Sequence, residues 1–430
     1  MLHLSDRLTG QHWRILAFAW LVWLTGFASL MLMSFVLEPV KRAFGPTELE
    51  LAWLTGLAIG ATGVGGFLFG ALADRAGRRT SMVVAVLAFA AGNVASALAP
   101  SFGALALARA LAGLGIGGAW GAGQAMIGET FPAGLRGRYA AFAQSGAPLG
   151  LGLATVVGTF FAPQIGWRAT FALGALPLLL MLLVRSVPES DVWRAAGRGH
   201  SLVTIARSLV APPNGSLFLR CLVLTILAMS NYYFMITWLP RYLQVERGLS
   251  LARSGWATLA FVAGALLGYP AFGYAADLRG RRIAFTVFSL LTAGALLMFT
   301  VAYPLIAGRP SLVLVFLFVA GVGTGIWSLF GPMMSEVFPT RVRGSAMSIV
   351  MNSTRAVQFV APVVIAAVAP IWGMSGGIAL AAGFAVLAGM WVWTLPETRG
   401  RAITAADDDA AAPAGAAVAG TGRRGVVLGG

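Results

Sequence analysis

The sequence predicts an all-α membrane fold of twelve transmembrane helices arranged as two pseudo-symmetric six-helix bundles. Three observations lead there. Only 10% of the 430 residues are charged and 58% are hydrophobic, whereas a soluble domain carries about 25% charged residues because its surface meets water. Apolar runs of the ~20 residues that a helix needs to cross a bilayer recur along nearly the whole chain. Motifs of the first half also return in the second at a nearly constant offset of a little over two hundred residues. Lipid favours helices because every backbone polar group must be paired within its own segment. The 55 glycines agree, since small residues let membrane helices approach closely but would cost stability in a water-soluble bundle.

The spans are read at 13–37, 51–73, 80–99, 101–123, 138–161, 168–187, 217–240, 254–275, 283–303, 311–333, 345–369 and 375–395. The first begins near Trp13 and lacks a small-residue cleavage site, so it is expected to be a retained helix. With the N-terminus inside, twenty-one arginines fall on the cytoplasmic side and seven Lys or Arg on the other. That asymmetry predicts an inner (cytoplasmic) membrane protein with both termini cytoplasmic. The net charge of +15 could point to nucleic acid, but the arginines sit in short loops between apolar runs, so no nucleic-acid partner is expected. The lone Cys221 excludes an intrachain disulfide and any multi-cysteine metal site. With no metal cluster, nucleophile–histidine pair or P-loop, no catalytic residue, metal or cofactor is expected, and ATP-driven pumping is unsupported.

The repeat is explicit. Gly70-Ala-Leu-Ala-Asp74-Arg75-Ala-Gly77-Arg78-Arg79 returns as Gly273-Tyr-Ala-Ala-Asp277-Leu-Arg279-Gly280-Arg281-Arg282. Glu129-Thr-Phe-Pro132 with Arg136-Gly137 returns as Glu336-Val-Phe-Pro339 with Arg343-Gly344, and Pro188-Glu189 returns as Pro396-Glu397. Two related halves are expected, 1–190 and 217–398, joined by a cytoplasmic connector at 191–216 and followed by a disordered cytoplasmic tail at 399–430. Gly77 and Gly280 are expected in tight turns.

These motifs resemble the signature loop of the major facilitator superfamily. The Glu129, Arg136 and Pro188-Glu189 elements, with Arg109-Ala-Leu-Ala-Gly113-Leu-Gly-Ile-Gly117-Gly118, resemble its sugar-porter and metabolite–proton symporter branches. The resemblance covers roughly residues 11–400. It implies a secondary transporter working by alternating access as a monomer, with small-molecule substrate, protons and membrane lipid as partners. It also implies that Asp74, Arg78, Glu129 and Arg136, with Asp277, Arg281, Glu336 and Arg343, latch the halves when the cytoplasmic side is closed. Aromatic-acid and sialate symporters of the family usually carry a short Asp-Gly-aromatic-Asp pattern in the first helix. This chain has Thr25-Gly26-Phe27-Ala28 there, so both carboxylates are missing.

An ionisable residue deep in a membrane is costly and functional by default. Arg109 lies about two turns into the fourth span and Arg355 near the middle of the eleventh. Their planar forks match carboxylate or phosphate, so the expected cargo is a small organic anion, a carboxylate or aromatic acid. Asn352 and Gln358, three residues either side of Arg355, would share its helix face, and Gln144 and Ser145 would line the facing wall. In this family spans one, four, seven and ten line the cavity, so Asn231, Tyr232 and Trp327 are candidates to stack on a flat substrate. Trp53, Trp238, Trp256 and Trp372 are assigned to the membrane interface. None of the fifteen acids falls mid-membrane, so a substrate carboxylate is itself a candidate to carry the proton, beside Glu38, Glu129 and Glu336 near helix ends. The alternatives are a facilitative uniporter, or an exporter working by proton antiport. The exporter is supported by Gly146-Ala-Pro148-Leu-Gly150, which resembles the glycine–proline motif of family antiporters except for Ala147.

Overall fold

The computed structural model describes residues 8–132, 135–184, 187–196, 214–338 and 343–399. The expected tail beyond 399 and most of the connector, 197–213, lie outside the described residues, as do the side chains of Arg136 and Arg343. Regular structure among the described residues is helical throughout, and ten helices are long and apolar enough to cross a membrane.

In the first half α1 (Gly10–Phe44), α2 (Glu48–Ala76), α3 (Arg78–Leu98) and α4 (Phe102–Thr130) run long. Their ends are set by capping chemistry. Thr47 accepts from Glu50 N at 3.2 Å while Glu50 accepts from Thr47 N at 2.7 Å, a reciprocal box that starts α2 directly after the Gly45-Pro46 turn. The half continues with α5 (Arg136–Gln144), α6 (Gly146–Val156), a wide turn at Val157–Phe161, α7 (Ala162–Leu173), a tight turn at Leu176–Leu180, α8 (Met181–Val184) and α9 (Asp191–Ala196). The second half repeats the plan with α10 (Asn214–Ile236), α11 (Leu239–Val245), α12 (Leu251–Arg279), α13 (Arg281–Phe299), α14 (Pro310–Gly323), a 3₁₀ turn at Thr324–Ser328, α15 (Phe330–Val337), α16 (Arg343–Val357) and α17 (Val360–Trp391).

The repeat extends to backbone geometry. Gly77 between α2 and α3 has φ 100° and ψ 156°, and Gly280 between α12 and α13 has φ 99° and ψ 155°. Glycine alone adopts such angles without a Cβ clash. Gly166 (φ 80°) and Gly373 (φ 68°) interrupt α7 and α17 at equivalent places. Glu189 accepts from the backbone N–H groups of Arg78 and Arg79, and Glu397 accepts from those of Arg281 and Arg282. In each half a carboxylate thus meets the positive end of a helix.

Two spans that read as continuous are broken. Pro148 lies four residues after Gln144 and Pro362 four after Gln358. A proline offers no N–H to the carbonyl four residues back and its ring crowds it. α5 accordingly ends at Gln144, and α16 ends at Val357 with a turn at Gln358–Phe359.

The halves meet backbone to backbone where α2 crosses α16 and the start of α17. Gly56, Gly60, Gly63 and Gly66 form the α2 side of this seam. A Cβ on Gly63 would overlap the Ala356 backbone, and one on Gly66 the Asn352 side chain. On the outer surface Leu107, Leu182, Leu305 and Ile371 stand exposed, a surface that fits hydrocarbon and not water. Trp53, Trp256 and Trp372 are exposed as well, but Trp238 is buried. Its ring lies under the Arg241 guanidinium, 5.8 Å from ring centre to Cζ, which removes it from the interfacial group.

Candidate functional site

A small chamber between the halves encloses about 30 Å³, room for roughly one water. From the first half it is lined by Trp23 and Phe27 of α1, Gln144 at the end of α5 and Ala147 of α6. From the second come Met229, Tyr232 and Tyr233 of α10, Tyr269 of α12, Trp327, and Met351 and Arg355 of α16. The proline-induced break after α5 leaves Gln144 at a helix end beside the chamber.

Arg355 is the charged group of this lining, and it is 3% exposed. Its guanidinium lies 4.0 Å from the Trp120 ring centre and 5.3 Å from that of Trp23, both on the opposite half. Such a contact contributes about 2 kcal/mol when desolvated, too little to replace the hydration that burial removes. Nη1 has no hydrogen-bond partner, and Arg355 forms no ion pair among the described residues. Trp120 is held in place by its indole N–H, which donates to Gln144 Oε1 at 3.0 Å. Beside the cation the rings form a chain across both halves. Trp23 lies 5.5 Å from Phe27, Phe27 6.4 Å from Tyr232, and Tyr232 5.9 Å from Trp327. The arrangement offers an anion-seeking group at one side of a flat-walled apolar space.

Arg109 is placed elsewhere. It is 0% exposed and belongs to the packed wall of the first half. Nη1 donates to Asn93 Oδ1 at 2.9 Å, Nη2 donates to the Ser29 carbonyl at 3.0 Å, and the guanidinium lies 5.0 Å from the Phe171 ring centre. Asn93 is itself anchored, accepting from Ser29 Oγ and donating to the carbonyls of Phe89 and Gly174. The Arg109 cation therefore ties α1, α3, α4 and the end of α7 together, away from the chamber lining.

Of the other expected contact residues, Gln144, Tyr232 and Trp327 share the chamber with Arg355. Gln358 does not, because the helix has ended before it. Its amide donates to Ser230 Oγ at 3.2 Å. Asn352 packs on Gly66 and donates to Ser348 Oγ at 3.3 Å. Asn231 is buried on α10 outside the lining, with Oδ1 unpartnered. Ser145 accepts from Trp20 Nε1 at 3.1 Å. Gly146 and Gly150 of the glycine–proline segment are filled by α1, at Trp23 and Leu24.

The charged loops organise the two ends differently. At the signature-loop end each network closes within its own half. Arg78 bonds Asp74 at 2.5 Å and Glu129 at 2.8 Å, and Arg281 bonds Asp277 at 3.0 Å and Glu336 at 3.1 Å. At the opposite end a cluster crosses between halves. Buried Arg241 of α11 bonds Glu48 of α2 at 2.7 Å and Glu38 of α1 at 3.5 Å, and Lys41 also bonds Glu48 at 2.6 Å. From sequence Arg241 is one of the seven basic residues on the far side and carries no further mark. Trp23, Phe27 and Trp120 go unmarked because they carry no charge or amide in a mostly apolar run; the aromatic i, i+4 spacing of Trp23 and Phe27 is the available signal.

The chain matches the family model of the Major Facilitator Superfamily over residues 18–255 and 221–426. A Haemophilus influenzae protein named for metabolite transport is 30% identical over 385 residues, covering 87% of this chain and 93% of the relative. The cis,cis-muconate transport protein of Acinetobacter baylyi is 27% identical over 397 residues, covering 89% and 92%. Among solved structures, the inward-open xylose transporter XylE from E. coli superposes with a TM-score of 0.72 at 22% identity, covering 91% of this chain and 98% of that one.

Proposed function

Since the chain belongs to the Major Facilitator Superfamily and is a secondary transporter rather than an enzyme, we propose that its cargo is a small organic anion with a flat apolar body. One observation carries this: Arg355 is buried, lines the chamber, lacks a carboxylate partner among the described residues and faces a row of aromatic rings. A buried cation with neither a counter-ion nor acceptors for its terminal N–H groups is costly, and an arriving anion relieves that cost. The relative named for cis,cis-muconate, a conjugated dicarboxylate, supports the same class. Arg109 is not part of the binding set; Arg355, Gln144, Tyr232 and Trp327 are.

The chain is proposed to make twelve passes. Gly166 and Gly373 divide the two long apolar segments Arg138–Leu173 and Ala346–Thr394 into consecutive passes. The halves are 1–190 and 217–398, the membrane is the inner membrane, both termini are cytoplasmic, and the monomer is the working unit. Under that orientation the Arg241 cluster closes the outer mouth, and the Asp74–Arg78–Glu129 and Asp277–Arg281–Glu336 networks, with Arg136 and Arg343, govern the inner one. No carboxylate lines the chamber among the described residues, which leaves Glu38, Glu129 and Glu336 near helix ends to carry a coupling proton while the substrate binds Arg355 as the anion.

The test is uptake into proteoliposomes of labelled cis,cis-muconate and of flat monocarboxylates, with an inward proton gradient. Uptake of acids is expected to be accelerated by the gradient and to exceed that of matching amides at least tenfold. Equal uptake of acids and amides would sink the anion assignment.

A further inference from the structure

Two residues lining the chamber carry a buried N–H group with no acceptor among the described residues: Arg355 Nη1 and Trp23 Nε1. Buried donors in folded proteins are almost always paired, so each exception asks for a missing partner. The two side chains are adjacent, with the guanidinium 5.3 Å from the Trp23 ring centre. They belong to opposite halves, α1 and α16. The two neighbouring indole donors are already satisfied: Trp120 Nε1 donates to Gln144, and Trp20 Nε1 to Ser145.

We infer that Trp23 is a second substrate-binding donor, and that its indole N–H and the Arg355 guanidinium together seat one carboxylate group between the two halves. The inference rests on the anion reading above and adds a residue and a geometry to it. A carboxylate has two oxygens and accepts only, so two donors without an acceptor match it and mismatch an ammonium group, which only donates. Trp120 acts as a positioning residue. Its ring centre lies 4.0 Å from the guanidinium carbon and the ring is itself fixed by Gln144, which holds the cation beside the chamber. Phe27, Tyr232 and Trp327 then extend from Trp23 as the wall for the rest of the molecule. Because the two donors sit on different halves, the anion bridges them, and the empty carrier lacks that bridge.

The experiment measures thermal stabilisation and proteoliposome uptake with cis,cis-muconate, benzoate and 3-phenylpropionate, each beside its amide, in wild type, Trp23→Phe, Trp23→His, Arg355→Lys and Arg355→Ala. Trp23→Phe keeps an aromatic ring beside the cation and removes the N–H together with part of the indole's bulk. It is expected to raise KM for acids at least fivefold, leave kcat within twofold, and leave any weak amide uptake unchanged. Trp23→His, which restores a ring N–H, is expected to recover part of the loss. If Arg355→Ala abolishes acid uptake while Trp23→Phe keeps wild-type KM, the anion reading stands and the role of Trp23 is overturned. If no carboxylate stabilises or enters wild type, both fall together. If Trp23→Phe weakens acids and amides equally, its role is packing and the inference is wrong.

Discussion

Arg109 and Arg355 are the same side chain at nearly the same burial, one in each half, and their surroundings are opposite. Arg109 reaches an amide oxygen, a carbonyl and an aromatic face, and its charge is spread over four helices of one half. Arg355 meets aromatic faces supplied by the other half and, among the described residues, keeps Nη1 unpaired. The difference teaches that a membrane-buried guanidinium is not by itself a binding site. Each keeps one buried N–H unpaired among the described residues, Nε in Arg109 and Nη1 in Arg355. What separates brace from ligand seat is that Arg109 has both terminal nitrogens bonded within the wall, while Arg355 borders the chamber with a terminal nitrogen open.

That contrast is most easily broken at Arg355. Arg355→Ala is expected to reduce uptake of organic acids more than a hundredfold while the purified protein stays monodisperse by size-exclusion chromatography; retained uptake would remove the distinction. Arg109→Ala is expected to do the reverse. It leaves Asn93 and the Ser29 carbonyl short of a charged donor and should cost about 3–6 kcal/mol, from ~1.5–3 kcal/mol for each of the two charge-assisted bonds lost. Thermal unfolding in detergent would register this, and uptake per folded molecule should stay within about threefold of wild type. Asn93→Ala sharpens the point, removing one partner of Arg109 at about 1–3 kcal/mol without touching the chamber.

Arg241 offers a third buried arginine, paired with carboxylates across the halves. Arg241→Gln is expected to speed alkylation of a cysteine placed at Phe27 about fivefold, on a Cys221→Ser background, as befits a pair worth about 1 kcal/mol. Unchanged labelling would mean the cluster does not hold that mouth closed. The smallest effect is expected at Glu397. Burial pushes its carboxyl up, but the N–H groups of Arg282, Arg281, Arg399 and Thr398 together hold it below the usual carboxylate range. Its stabilising contribution is therefore full above the unfolded pKa and is lost as pH falls through the lower folded value. The unfolding-temperature gap between wild type and Glu397→Gln should be widest near pH ~7 and close under strong acid, below the ordinary ~4.3 of a glutamate; a gap that grows on acidification would contradict it.

The helical class and the internal repeat were legible because hydrocarbon imposes long apolar runs and because the loop motifs are charged and therefore conspicuous. The Gly77 and Gly280 turns could be read for the same reason, since a left-handed backbone needs glycine. The chamber was only half legible. Arg355, Gln144, Tyr232 and Trp327 could be named, but Gln358 was placed on the same face by counting along an uninterrupted helix, and Pro362 ends that helix first. Arg109 was grouped with Arg355 because sequence records depth and not neighbours. Its partner Asn93 lies on another helix and gives no local sign of the bond. Trp23 and Phe27 carry no charge or amide to mark them in a mostly apolar run, and only their i, i+4 spacing sets them apart.

The α2 glycine seam has a consequence for how variants of this carrier should be interpreted. Gly63 abuts Ala356, the residue next to Arg355, with no side chain between the two main chains. A single methyl group added at Gly63 has nowhere to go except to displace that neighbour, and the guanidinium moves with it. A change on the far side of a helix, remote from any solute, would then present as a selectivity or affinity phenotype, and would be mistaken for a contact residue by anyone judging from uptake alone.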